Sequence, residues 1–283
     1  MASQRDIRRR ITAARNIKQI TRAMQFVAAS KLRRAQEATL AARPYSEKID
    51  EVLADLAAVL DGDDHPLLVQ REAGKRLLVL ITTDRGLAGP LNTNTVRFAS
   101  REITEHSGDM ALVTVGRKGR DAMRRHHVPM EAHFAGFGDR PTFADVLPLA
   151  RLLTEDYLSG DYSRIDVIYS RFISTLAQKP VMDQLFPIQP AADTEGIPGN
   201  QFIFEPGAAA VLEQLVPRYV ATRLFQAVLE AKASEESSRM VAMKNATENA
   251  EELIDDLTLS YNKVRQSNIT REMIEIATGA RVR

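Results

Sequence analysis

Thr82-Thr83-Asp84-Arg85-Gly86-Leu87-Ala88-Gly89-Pro90 sets two glycines, a carboxylate and a guanidinium between an apolar run and a helical pattern. Backbone N–H groups at a strand-to-helix turn often hold phosphate, because the first amides of a helix have no intrahelical acceptor. The segment has neither the G-x-G-x-x-G dinucleotide pattern nor the G-x-x-x-x-G-K-[ST] of a P-loop. Asp84, Arg85, Gly86 and Gly89 therefore read as a strand-to-helix turn whose glycines serve backbone geometry. Phosphate binding is the alternative.

Other residue types capable of chemistry are present without a pattern that would use them. His126 and His127 are adjacent, and neighbours on a helix point away from each other rather than converging on a metal. The pairs Glu251-Glu252 and Asp255-Asp256 lie on a predicted helix surface with no pocket to shift them toward general acid or base duty. With no cysteine in the chain, disulfides, thiolate nucleophiles and Cys-ligated metals are excluded. No cofactor, metal site or catalytic residue is expected.

Charge is unevenly spread under a net +1 over 283 residues. Arg5, Arg8, Arg9, Arg10, Arg15, Lys18, Arg22, Lys31, Arg33, Arg34 and Arg43 meet only Asp6 and Glu37 in the first segment, whereas Glu248, Glu251, Glu252, Asp255 and Asp256 make an acidic cluster near the other end. The basic start has the charge to grip nucleic acid phosphates. It lacks interleaved aromatics, and an acidic helix, its own or another protein's, accounts for it equally well.

These residues need elements to position them. From about Ser3 to Leu60 there is no glycine, and apolar residues recur through Ile7, Ile11, Ala14, Ile17, Ile20, Met24, Val27, Ala28, Leu32 and Ala35, which predicts a long amphipathic helix. Pro44 should bend or interrupt it, and Asp61-Gly62-Asp63-Asp64 should end it, a surface loop then running to Gly74. The runs 76–82, 110–115 and 165–169 are short, apolar and β-branched, as buried parallel strands are. Helices over 93–106, 117–126 and 143–158 separate them and give a small Rossmann-like α/β domain. Residues 180–188 add an edge strand, and 189–199 read as an exposed loop or hinge.

After Pro206 and Gly207, and counted from Pro217, no Pro or Gly occurs before Gly279, so roughly 60 residues can form one helix roughly 90 Å long. Its stripe through Leu224, Val228, Ala231, Met240, Met243, Ala246, Ala250, Leu253, Leu257, Tyr261 and Val264 needs a partner. The basic N-terminal helix supplies it. The reading is an α/β fold with an antiparallel coiled coil: residues 1–60 and 207–283 are its two helices, and 75–190 the α/β domain. No stretch nears the roughly eighteen apolar residues of a membrane span, and no secretory signal is present.

Four segments carry a family resemblance. They are IRRRITAARNIKQITRAMQFVAASKLRRAQ, TTDRGLAG, SSRMVAMKNATENAEELI and the terminal I-T-x-E-x-x-E-x-x-x-G-A of residues 269–280. Together they resemble the γ subunit, the central rotor shaft, of F-type ATP synthases, across essentially the whole chain. Ala88 departs from the cysteine of many members, so function should not depend on that thiol. No cysteine-bearing regulatory insert or organelle transit peptide is seen, which points to a bacterial source.

The resemblance implies a non-catalytic rotor that couples transmembrane proton flow to ATP synthesis or hydrolysis on β subunits and regulates ATPase activity. The membrane ring, not this chain, selects protons or sodium ions. It implies α and β subunits (an α₃β₃ hexamer), an ε subunit and a membrane c-ring as partners, with no nucleic acid and no direct membrane insertion, at the cytoplasmic face of a bacterial cell membrane. By similarity, Met24 with Arg22 and Lys18 lies near the β-subunit loop that transmits torque. Arg265, Gln266, Thr270, Glu272 and Glu275 match the stretch that contacts β subunits. Ile274, Ile276, Ala277 and Ala280 suit a sliding tip.

Overall fold

The apolar run after Gly74 forms β1, Lys75–Ile81. A computed structural model describes residues 3–59, 66–71, 73–106, 108–125, 128–189 and 204–279, and in it Leu77, Leu78, Val79 and Leu80 have no solvent exposure. The strand alternates between two cores, as a period of two demands. Leu77, Val79 and Ile81 enter one, while Leu78 and Leu80 enter the other.

The remaining elements follow as α2 Leu91–Glu105, β2 Met110–Val115, α3 Arg117–Met123, β3 Met130–Phe134, α4 Phe143–Leu158, β4 Tyr162–Phe172 and β5 Gln178–Phe186. The sheet order is β3-β2-β1-β4-β5. β1 pairs in parallel with β2 and β4, β2 in parallel with β3, and β4 antiparallel with β5. Residues 180–188 were expected as an edge strand, and β5 supplies it. β3 was not anticipated: its Met-Glu-Ala-His-Phe is only half-buried, as suits an edge.

Two long helices flank these elements in sequence, α1 Gln4–Val59 and α5 Ala208–Gly279. α1 continues unbroken through Pro44, so the expected interruption does not occur. Pro44 and Leu40 are exposed, and the Leu40 carbonyl that loses its donor faces the solvated side, where water can satisfy it. α5 likewise runs through an exposed Pro217 and begins at Ala208 rather than at that proline. The predicted helix stop at Asp61–Asp64, the adjacent histidines, most of the 189–199 loop, and Ala280 lie outside the described residues.

The chain divides into two compact units, Met1–Ala28 with Arg239–Arg283, and Ala29–Ser238. In the larger one, α4 and parts of α1 and α5 cover one sheet face through Leu53, Leu56, Leu149, Leu153, Val216 and Leu224, while α2 and α3 cover the other through Ala99 and Met123. Ser46 donates to Gln226 at 2.8 Å and Arg223 lies 3.6 Å from Asp50, so α1 and α5 run antiparallel here.

In the smaller unit the two helices form an antiparallel coiled coil. Gln4 donates to Tyr261 at 3.1 Å, Lys18 to Glu251 at 2.6 Å, and Thr21 and Thr247 share a bond of 2.8 Å. The covered α1 positions are Ile7, Ile11, Ala14, Lys18, Thr21, Gln25 and Ala28, and those on α5 are Met243, Thr247, Ala250, Ile254, Leu257, Tyr261 and Val264. Both step by threes and fours, the heptad spacing of a coiled coil. The apolar stripe expected from sequence is therefore corrected at Ile17, Ile20, Val27 and Leu253, all at least half exposed. Polar Lys18, Thr21 and Gln25 hold the seam positions between Ala14 and Ala28. Ile17 and Leu253 instead line a groove of about 290 Å³ beside the seam, with Arg10, Ala13, Ala14 and Leu257.

Candidate functional site

The strand-to-helix turn is built around Thr82 and Asp84. The Thr82 hydroxyl donates to the Val115 carbonyl at 3.0 Å and accepts the Gly119 amide at 2.8 Å. Asp84 Oδ1 accepts the Arg117 amide at 3.0 Å, with Arg117 Nε 3.7 Å away. The Arg117 amide at the start of α3 is thus occupied by a carboxylate of the chain itself, and Asp84 within the turn repels an anion. Gly136 lets that carboxylate in, since a Cβ there would lie 2.2 Å from Asp84 Oδ2. Gly89 has φ 53°, a left-handed conformation that glycine adopts without strain, and Leu87 takes a similar φ of 62° with a side chain. Gly86 and Arg85 are exposed.

Open α/β sheets bind ligands outside the carboxyl ends of their strands where strand order reverses, and here that point lies between β1 and β4. It is occupied by α5. Ser234 Oγ donates to the Ser170 carbonyl at 2.8 Å, Ser237 Oγ to the Thr175 carbonyl at 2.7 Å, and Ser238 Oγ to the Ala88 carbonyl at 2.7 Å. All three serines are buried, and Gln178 Nε2 adds a bond to Ser237 at 3.3 Å. Sequence reasoning missed them. The available signal was three serines at helical spacings of three and four, which places them on one face.

A charged group lies beside the serines. Asp139, in the loop after β3, accepts Lys31 Nζ at 2.7 Å and lies 3.8 Å from Lys232 Nζ. The Lys31 hydrogen bond, reinforced by the nearby cations, holds the Asp139 carboxyl below its ordinary range. Lys232 also donates to Glu235 at 2.9 Å and stands 3.5 Å from Glu236. A second group joins β4, β5 and α5: Arg171 donates to Asp183 at 2.8 Å and to the Tyr169 hydroxyl at 3.1 Å, and lies 3.6 Å from Glu230. Desolvation pushes the Glu230 carboxyl above its ordinary range despite Arg171.

The residues expected at coupling contacts fall on two helices of the smaller unit. Lys18 is half-buried and engaged with Glu251, whose carboxyl this bond holds below its ordinary range. Arg22 is exposed and Met24 half-buried. On α5, Arg265, Gln266, Thr270 and Glu272 are exposed, with the Thr270 hydroxyl donating to the Gln266 carbonyl at 2.9 Å. The Glu275 side chain lies outside the described residues. Ile274, Ile276 and Ala277 are exposed, and no group of acidic, His or Cys residues fit for a metal occurs among the described residues.

A mixed five-stranded sheet with a filled strand-end crevice, between two long terminal helices that pair as a coiled coil, defines the class: a coiled-coil and α/β stalk protein. The chain matches the family model described as ATP synthase over residues 3–282. It is 48% identical over 284 aligned residues to the ATP synthase gamma chain of Dehalococcoides mccartyi, covering 99% of each. It is 44% identical over 280 residues to that of Pelotomaculum thermopropionicum, again covering 99% of each. The chain belongs to the ATP synthase gamma chain family. Its fold is shared with a chain of the Euglena gracilis mitochondrial ATP synthase at TM-score 0.70 and 22% identity, covering 99% of this chain and 94% of that one. A chain of the Tetrahymena thermophila central stalk matches at TM-score 0.61 and 23% identity, covering 80% and 99%.

Proposed function

We propose that this chain is the central rotor subunit of an F-type ATP synthase, coupling transmembrane proton flow to ATP synthesis or hydrolysis on β subunits while catalysing nothing itself. The end-to-end match to gamma chains carries the reading. The filled crevice between β1 and β4 supports the absence of catalysis. Its partners are the α and β subunits of an α₃β₃ hexamer, an ε subunit and a membrane c-ring. Among the described residues no helix is long and apolar enough to cross a membrane, in keeping with a peripheral place on the cytoplasmic face of a bacterial membrane.

A shaft without threefold symmetry inside a threefold shell presents a different surface to each β subunit and so holds one type of site in three states. Turning it cycles those states, provided its contacts differ in free energy between them. Exposed Arg22, Arg265, Gln266, Thr270 and Glu272, with Lys18, Met24 and Glu275, are the residues assigned to those contacts. The test is ATP hydrolysis by α and β subunits of the same organism with and without the purified chain, with assembly followed by size exclusion. A chain inert alone that yields a stable complex with strongly raised hydrolysis is the expected result. A chain that neither joins the hexamer nor alters its activity overturns the reading.

A further inference from the structure

Within the larger unit, the bonds between the long helices and the loops at the carboxyl ends of the strands are concentrated in one short stretch. Over residues 232–238 α5 reaches the segments that follow β1 and β3, and β4 with the turn after it: Ala88 through Ser238, Asp139 through Lys232, and Ser170 and Thr175 through Ser234 and Ser237. α1 reaches the same place through Lys31, which shares Asp139 with Lys232. The unit's first residue on α1 is Ala29 and its last on α5 is Ser238. The bonds therefore all lie within this unit, close in sequence to its limits on both helices.

The chemistry of these tethers is that of a stiff joint. A serine hydroxyl hangs on a single rotatable side-chain bond, so three buried serines on three backbone carbonyls permit little angular play. The Ser170 carbonyl is held in β4, and those of Ala88 and Thr175 lie in the turns after β1 and β4. Lys31 and Lys232 are longer, but their side chains are only 18% and 13% exposed, and a partly desolvated ion pair is screened less than a surface one. The rotor reading otherwise gives these groups no task.

We propose that Ser234, Ser237 and Ser238, with the Asp139 pair to Lys31 and Lys232, are the torque-bearing joint of this chain, passing rotation between its α/β domain and its two long helices. This rests on the rotor reading. Unloaded hydrolysis needs only the helices to turn, whereas angular precision at the α/β domain depends on how tightly that domain is held to them. Loosening the joint leaves the first unchanged and degrades the second.

The experiment uses the complex with α and β subunits, with a probe on a single cysteine introduced by Arg97→Cys, an exposed site on α2 in a chain that has no cysteine. The angular variance of the probe during pauses is measured alongside unloaded ATP hydrolysis. Asp139→Asn, and separately Ser234→Ala with Ser238→Ala, should raise the variance at least twofold while hydrolysis changes less than twofold. Asp139→Glu, which keeps a carboxylate between Lys31 and Lys232, should leave the variance near that of the parent. If the parent rotates and both loosened variants keep its variance, the joint is overturned. If the parent neither assembles nor rotates, it is the rotor reading that fails.

Discussion

Asp166 has no solvent exposure on β4, yet it is well partnered. Arg76 Nε donates to it at 2.6 Å and Arg164 Nε at 2.8 Å. Removing one side of a buried pair leaves the other desolvated, so Asp166→Ala should destabilise the protein by about 3 kcal/mol, read as a lowered denaturation midpoint. Two other carboxylates respond to pH with opposite signs. The folded pKa of Asp139 is depressed below its ordinary 3.8, first by the Lys31 hydrogen bond. Its contribution is complete above that value and fades as pH falls through the folded value beneath it. Parent and Asp139→Asn midpoints should differ at neutral pH and converge in stronger acid. Glu230 is raised above its ordinary 4.5 by desolvation, so the folded state holds the proton longer and stability falls as pH rises from that value through the raised one. Glu230→Gln should flatten that decline in midpoints taken from pH 4 to 8.

At the level of elements, continuous apolar runs were the clearest sequence signal. β2 and α4 span the predicted residues, and β1 lies within one residue of its prediction. Half-buried β3 gave no such signal, because Glu131 and His133 interrupt its apolar residues. Both long helices were evident from their lack of glycine, but the buried face of α1 was less so. Polar Lys18, Thr21 and Gln25 hold seam positions there, and apolar Ile17 and Ile20 stand outside. Counting by residue type selected the isoleucines; counting by threes and fours from Ile7 selects the observed seam. The two faces should separate on substitution. Ile20→Ser at an exposed site should shift stability by no more than about 0.5 kcal/mol, whereas Ile11→Ala should cost about 2 kcal/mol. Thermal unfolding followed by helical circular dichroism of the full chain measures both.

For the whole molecule, fold class and family were legible because they rest on patterns repeated over tens of residues, while the closure of the strand-end crevice was not. That closure depends on hydroxyls meeting backbone carbonyls at Ala88, Ser170 and Thr175, and a carbonyl acceptor leaves no mark on residue type. The residues proposed for coupling contacts pose the reverse problem, since Arg265, Gln266 and Glu272 are exposed and a contact with another chain leaves no mark inside this one. Exposure makes them separable from folding. Arg265→Ala, Gln266→Ala and Glu272→Ala should each move the unfolding midpoint of the isolated chain by the equivalent of no more than about 0.5 kcal/mol. In the complex with α and β subunits, a contact that differs between rotational states by about 1 kcal/mol changes a population or rate about fivefold. The expected pattern is an unchanged isolated chain and about a fivefold loss in coupled turnover. A midpoint that falls with the activity would make the loss one of folding, and unchanged activity would remove that residue from the coupling contacts.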